Sequence, residues 1–189
     1  AINLWTVKEQ RSVINALCNQ GINKLSKCYF SSELNRPFNK FKQFVYKLIT
    51  ICNDICHNNA NEDSVKNKIQ SLLAEEIPTS LAEKVIIRIT MFDKLSKLND
   101  LSKFSPDDQE IIKYVKENGF VDLHTCPEII QKFKCDKIGV KVHNFILEIL
   151  DMNLQPGQVP DIDLSHISQR LKEEKPPQTE APKRKRRGK

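Results

Sequence analysis

The chain has 189 residues, of which 39% are hydrophobic, 30 are Lys or Arg and 24 are Asp or Glu. This length allows one large domain or two small ones, and five glycines are too few for a sheet-rich fold with many tight turns. No apolar run approaches the ~18 residues of a membrane span, and the N-terminus lacks the apolar core of a signal peptide, so the sequence predicts a soluble intracellular protein.

The excess positive charge lies at one end of the chain. Residues 175–189 contain seven Lys or Arg and one Glu, whereas residues 1–174 contain 23 basic and 23 acidic groups. The net charge of +6 therefore describes the tail, and by itself it supports no claim that the rest binds nucleic acid. Within the balanced part, basic residues concentrate at 24–47 and 132–141, which is compatible with basic faces or with ordinary solvated helix surfaces.

Helical periodicity dominates residues 1–60. Thr6 and Glu9 form a capping-box pattern at the start of the first helix. Asn23 is positioned to cap a short second helix, and Pro37 to begin a third that carries a continuous apolar stripe. The sequence therefore predicts a unit of three helices.

A linker and one long helix are predicted for residues 61–103. A polar connector leads into a short amphipathic piece at 65–73. Ser80 and Glu83 form a second capping box just after Pro78, and the apolar period that follows predicts a helix of about five turns. Its length predicts a spacer between two units.

A second trio of helices is predicted for residues 104–154. Ser105 is a cap followed by a first-turn proline and two acidic residues, which begins a helix that ends at Gly119. A short helix at 127–133 and a longer one at 136–150 follow. The order of long, short and long helices repeats that of the first unit.

The C-terminal part divides at residue 175. Residues 155–174 contain a break, QPGQVP, and one further helix from 164, whereas residues 175–189 are too polar and proline-rich to order. Five consecutive basic residues in this tail are typical of a nuclear-localisation signal, or of an unstructured tether to nucleic acid. These residues are Lys183, Arg184, Lys185, Arg186 and Arg187. The sequence predicts a nuclear protein.

Catalytic and metal-binding chemistry is hard to find. The chain has no P-loop, no dinucleotide-binding glycine motif and no nucleophile elbow, and its four histidines are scattered. Cys52, Cys56 and His57 have helical spacing, but a fourth metal ligand is missing and Cys52 lies on the apolar stripe. The six cysteines are interpreted as reduced, buried thiols. We expect no cofactor, no metal and no enzymatic activity.

Dispersed motifs occur in a fixed order along residues 3–150. They are WTVKE at 5–9, FKQFV at 41–45 followed by Cys52 and Cys56, IPTS at 77–80 before IRI at 87–89, SPDDQE at 105–110 before Asn118-Gly119, and PEI at 127–129. In this order they resemble the C-terminal SANT-SLIDE region of the chromodomain-helicase-DNA-binding family of chromatin remodellers. Imitation-switch remodellers, which share the SANT-spacer-SLIDE plan, are the second choice. The resemblance implies an all-α fold of two Myb/SANT-like three-helix units joined by a long spacer helix.

The resemblance also implies a function. It implies a non-catalytic module of an ATP-dependent remodeller that grips linker duplex DNA, largely without sequence specificity. The partners would be double-stranded DNA, and histones or a remodeller ATPase domain in the same or another chain, with no membrane. Basic residues of the third helices and of the spacer would contact phosphates. These predicted DNA-binding residues are Lys40, Lys42, Lys47, Arg88, Lys134, Lys137 and Lys141.

An alternative remains open on the sequence alone. The body carries no net charge, and Trp5 is the only tryptophan, whereas the resemblance implies further tryptophans in the second unit. An all-helical adaptor that binds another protein in a nuclear chromatin complex, with the tail serving import, fits these observations as well.

Overall fold

The computed structural model describes residues 4–57, 73–134 and 136–177, and all α or β structure in these ranges is helical. The helices are α1 (Val7–Gln20), α2 (Leu25–Ser32), α3 (Phe38–His57), α4 (Thr79–Ser96), α5 (Pro106–Asn118), α6 (Pro127–Phe133), α7 (Ile138–Ile149) and α8 (Leu164–Glu173), with a 3-10 turn at Leu123–Thr125. The all-α prediction is confirmed. Most of the predicted piece at 65–73, and the tail from residue 178, lie outside the described residues.

Side-chain caps begin α1 and α5 where the sequence predicts them. The Thr6 hydroxyl accepts from the Glu9 amide at 3.1 Å, and the Glu9 carboxylate accepts from the Thr6 amide at 2.9 Å. The Ser105 hydroxyl accepts from the Asp108 amide at 3.2 Å, with Pro106 as the first residue of α5. These bonds satisfy amides that have no partner within their helix.

Two other predicted caps are wrong. The helix α4 begins at Thr79, with Pro78 in extended conformation before it, so Ser80 lies inside the first turn. Asn23 does not cap α2, because its side-chain amide donates to the carbonyl oxygen of Phe92 in α4 at 3.0 Å. A contact between distant parts of the chain replaces the local one.

Two apolar cores fill the described structure, and α4 contributes to both. The first core joins α4 to α1, α2, α3 and α8, and the second joins it to α5, α6 and α7. The buried apolar residues of α4 are Ala82, Val85, Ile86 and Ile89 in the first core and Met91, Phe92 and Leu95 in the second. The helix predicted as a spacer is thus buried along its length between the two trios, α1–α3 and α5–α7.

The C-terminal helix α8 packs back on the first trio. Ile167 and Leu171 are buried in the first core. Beyond the helix, the carbonyl oxygen of Glu174 accepts from Nζ of Lys42 in α3 at 2.8 Å. One side of α3 is therefore covered by the C-terminal segment.

The turn between α1 and α2 contacts the C-terminal end of α5, and we call this contact the junction (residues 19–24 and 116–120). The Phe120 amide donates to the carbonyl oxygen of Asn19 at 2.9 Å, and the Gln20 side-chain amide donates to the carbonyl oxygen of Asn118 at 3.1 Å. Gly119 ends α5 with a φ of +69°, where glycine carries no steric penalty. Backbone hydrogen bonds thus connect the two trios directly.

Lysines complete the junction. Lys24 donates to the carbonyl oxygens of Lys116 and Glu117, and Lys27 donates to that of Glu117 at 3.1 Å. The last carbonyls of a helix lack intrahelical donors and form the negative end of the helix dipole, so ammonium groups stabilise them. Burial lowers the pKa of Lys24. Two lysines of the basic stretch 24–47 therefore serve the fold.

Candidate nucleic-acid interface

Two of the predicted DNA-binding lysines lie together on α3. Lys40, Gln43 and Lys47 follow helical spacing and form one stripe along the N-terminal half of the helix. They line an open cleft of about 690 Å³ together with Trp5 and Arg36. We call this the α3 cleft.

Trp5 forms one wall of the α3 cleft, and both faces of its indole are covered. The ring of Phe44 stacks on it with a centroid distance of 3.9 Å and an interplanar angle of 4°. The Arg36 guanidinium carbon lies 4.3 Å from the indole centroid. Two groups lying this close over one ring would clash if they were on the same face, so they occupy opposite faces. The indole therefore offers no free face for stacking on a nucleobase.

Arg36 and Glu9 form a two-pronged ion pair behind this wall. Nε of Arg36 lies 2.8 Å from one Glu9 oxygen and the terminal nitrogen lies 2.9 Å from the other. The hydrogen bonds from Arg36 are the main reason that the pKa of Glu9 falls to about 2. Glu9 therefore offsets the charge of Arg36, and Lys40 and Lys47 are the other two basic residues that line the cleft.

Lys42 does not join the α3 cleft. Its ammonium group donates to the carbonyl oxygen of Glu174 and lies 5.5 Å from the centroid of the Phe38 ring. The structure thus places Lys42 under the C-terminal segment instead of beside Lys40 and Lys47.

The prediction that Arg88 contacts DNA is wrong. Arg88 is only 5% exposed, and its guanidinium lies 3.6 Å from the centroid of Phe120. It donates to the carbonyl oxygen of Cys18 at 2.8 Å and to Nδ1 of His143 at 2.9 Å. Because both trios pack against α4, a side chain predicted to lie on an exposed spacer is enclosed, and burial lowers the pKa of Arg88 to about 10.

The neutral imidazole beside Arg88 makes stability depend on pH. Burial, with the charges of Arg88 and Lys84, lowers the pKa of His143 to about 4. Between this value and the ordinary value of about 6.5, the unfolded chain binds a proton that the folded chain does not. Stability is therefore full above about pH 6.5 and falls as the pH drops towards 4. Urea unfolding is expected to show a loss of about 1 kcal/mol from pH 7 to pH 5, allowing for the partial exposure of the ring.

The matched variant for this experiment is His143→Gln. The glutamine amide oxygen can still accept a hydrogen bond from Arg88, but it does not titrate. We expect the variant to lose less stability than the unmodified chain over the same pH range. Equal losses in the two proteins would show that His143 is not the group responsible.

The predicted lysines of the second trio differ from one another in exposure and in contacts. Lys134 and Lys137 are exposed on either side of the turn between α6 and α7, both with left-handed backbone. Lys141 is half-buried, and its Nζ donates to the carbonyl oxygen of Phe133 at 3.3 Å. Only two of the three lysines are thus fully presented to solvent.

Lys141 lines a different kind of cleft, open and about 620 Å³ in volume, which we call the α7 cleft. Its walls come from α6, α7 and residues 103–108. Three aromatic rings and equal numbers of carboxylates and ammonium groups line it: Phe104, Phe133 and Phe145, Asp108, Glu148 and Asp151, and Lys103, Lys132 and Lys141. The α7 cleft is therefore electrically balanced, unlike the α3 cleft.

The remaining sequence predictions concern the tail, the thiols and metal binding. The tail residues, Lys183, Arg184, Lys185, Arg186 and Arg187, lie outside the described residues. Cys18, Cys28, Cys52 and Cys126 are buried and free of disulfides, and burial raises the pKa of Cys28 to about 12. Within the described ranges, no group of three or more His, Cys, Asp or Glu is arranged to hold a metal, and no helix has the length and apolar character to cross a membrane.

Sequence reasoning missed the aromatic content of both clefts. The partners of Trp5 are far from it in the chain, so no local sequence pattern indicates these ring contacts. The α7 cleft had a weaker signal, the adjacent Lys132 and Phe133 near the end of α6.

Comparisons with known proteins assign no family. No protein-family model matches the chain, and neither a curated protein nor a solved structure matches it significantly.

Proposed function

We propose that this protein is a non-catalytic DNA-binding module of an ATP-dependent chromatin remodeller, of the SANT-SLIDE kind found in the chromodomain-helicase-DNA-binding family. In this proposal the two trios are the Myb/SANT-like units and α4 is the long helix between them. The observation that carries the proposal is the stripe of Lys40, Gln43 and Lys47 on the third helix of the first trio. The motif order along residues 3–150 supports the same assignment.

The chemistry of the α3 cleft favours phosphate contacts over base readout. Lys40 and Lys47 bring two ammonium groups to the cleft, the indole of Trp5 is covered on both faces, and Arg36 is engaged by Glu9. Lysine binds phosphate as a point charge and does not present the planar fork that distinguishes bases. Binding to duplex DNA is therefore proposed to be largely independent of sequence and strongly dependent on salt.

The first test separates the body from its tail. A chain ending at residue 177 keeps every residue of the α3 cleft and the Glu174 contact but loses the KRKRR run. Titration with duplex DNA is expected to show weaker binding than the full chain at low salt, with measurable affinity remaining. Complete loss of binding in the shortened chain would overturn the proposed role of the folded body.

The second test addresses the α3 cleft. The double variant Lys40→Ala/Lys47→Ala is expected to reduce the slope of log affinity against log salt by about 2, because each phosphate contact contributes about 0.9. The matched control is Lys97→Ala/Lys113→Ala, which removes the same charge from exposed lysines paired with acids of their own helices. If the salt slope changed equally in the two double variants, the effect would be one of net charge and would not show that the α3 cleft contacts DNA.

A second candidate function is an all-helical adaptor in a nuclear chromatin complex. The aromatic, charge-balanced lining of the α7 cleft favours it, because such a lining suits protein better than DNA. A pull-down on nucleosomes with and without linker DNA discriminates between the two, since an adaptor would be indifferent to the linker. Both candidates place the protein in the nucleus, which imaging of a fluorescent fusion with and without residues 183–187 tests.

A further inference from the structure

One lysine of the α7 cleft occupies an aromatic corner. Phe133 and Phe145 meet edge to face, with centroids 5.8 Å apart and an interplanar angle of 71°. The ammonium group of Lys132 lies 5.9 Å from the first centroid and 5.2 Å from the second. Both distances are within the range at which a cation is attracted to the face of a ring. The two rings thus form a site that suits a cation, and the ammonium group of Lys132 occupies it.

A carboxylate completes this corner. Asp108 Oδ1 lies 3.5 Å from Nζ of Lys132, and the Asp108 side chain is only 26% exposed. The Lys132 side chain is itself 42% exposed, so it lies at the surface of the corner and is not enclosed by it. Exposed ion pairs and cation–π contacts are individually weak, so another cation can displace Lys132.

The far end of the α7 cleft carries unused negative charge. Glu148 and Asp151 are exposed, and neither side chain has an ion-pair partner among the described residues. If Lys132 swings out, three carboxylates face only Lys103 and Lys141, and Lys141 is engaged by the carbonyl oxygen of Phe133. The vacated cleft is therefore aromatic and net negative, which disfavours DNA as its occupant.

We propose that the α7 cleft is a docking site for a lysine-rich peptide segment of a partner protein. A lysine of the peptide takes the place of Lys132 against Phe133 and Phe145 and beside Asp108, while neighbouring basic residues lie near Glu148 and Asp151. The volume of about 620 Å³ suits a side chain and part of its backbone. Lys132 acts as an internal competitor. This site is separate from the α3 cleft, so it neither requires nor excludes DNA binding there.

The test measures binding of a labelled synthetic lysine-glycine peptide to the full chain by fluorescence anisotropy. Lys132→Ala is expected to raise the affinity by about fivefold, because it removes the competitor. Lys113→Ala removes the same charge from α5 in the same trio, outside the cleft, and is expected to change the affinity by less than about twofold. Equal gains in the two variants would overturn the proposal.

A second variant tests the aromatic corner without emptying the core. Phe145→Leu keeps an apolar side chain but removes the ring face, and it is expected to weaken peptide binding by about fivefold. The same peptide with acetylated lysines is expected not to bind. Unchanged affinity of a folded Phe145→Leu protein, or equal binding of the acetylated peptide, would contradict the proposal.

The basic tail of the chain itself is the competing occupant. A chain ending at residue 177 is expected to bind the peptide as tightly as the full chain does. If removal of the tail raises the affinity by more than about fivefold, the tail occupies the cleft in the full chain and the partner-peptide proposal is wrong.

Discussion

Replacing Gly119 with alanine is expected to destabilise the protein by about 3 kcal/mol or more. Gly119 has a φ of +69° and a ψ of −147°, a backbone conformation that L residues avoid. A Cβ atom there would lie 1.9 Å from the carbonyl oxygen of Asn19. That oxygen accepts the hydrogen bond from Phe120, so the added methyl group must break the junction between the trios.

Urea unfolding measures this effect, and the chain contains a matched control. Gly139 lies in α7, and apart from its chain neighbours and the backbone of its own helix no atom lies within 4 Å of the position that a Cβ would take. Gly139→Ala is therefore expected to stabilise the protein by up to about 1 kcal/mol, since alanine favours a helix more than glycine does. A Gly119→Ala protein as stable as the unmodified chain would show that the junction does not hold the trios together.

Replacing Arg88 with alanine is the substitution with the second large expected effect, a loss of about 3 kcal/mol. It leaves the carbonyl oxygen of Cys18 and Nδ1 of His143 without their donor, and it removes the guanidinium from the face of Phe120. Arg88→Lys is expected to restore little, because an ammonium group lacks the planar fork that reaches both acceptors.

The control and a second readout keep this experiment specific. Lys84→Ala changes an exposed residue one turn earlier on the same helix, and it is expected to alter stability by no more than about 0.5 kcal/mol. NMR titration of the Arg88→Ala protein is expected to show a higher pKa for His143, since the charge of Arg88 helps to lower it. An unchanged His143 titration would contradict the assigned contact.

Local features of the fold could be predicted from the sequence, and long-range ones could not. The caps at Thr6 and Ser105 involve partners three residues away, and the structure contains both of them. Asn23 and Arg88 were misassigned because their partners, Phe92 and His143, lie in other helices and more than 50 residues away. Periodicity reports which face of a helix is apolar, but not which helix covers it.

The candidate site shows the same division. A helix turns by about 100° per residue, so Lys40 and Lys47 lie on one side of α3, whereas Lys42 points to nearly the opposite side. The structure accordingly places two of the three lysines in the α3 cleft and the third under the C-terminal segment. Spacing alone could have separated them.

Two features fix the position of one trio relative to the other. They are the burial of α4 in both cores and the hydrogen bonds of the junction. Because α4 is buried in both cores and hydrogen bonds of the junction connect the two trios, we expect the distance and angle between the two clefts to vary little. A ligand that contacts both clefts at once must therefore match their separation, since the protein would not adjust it.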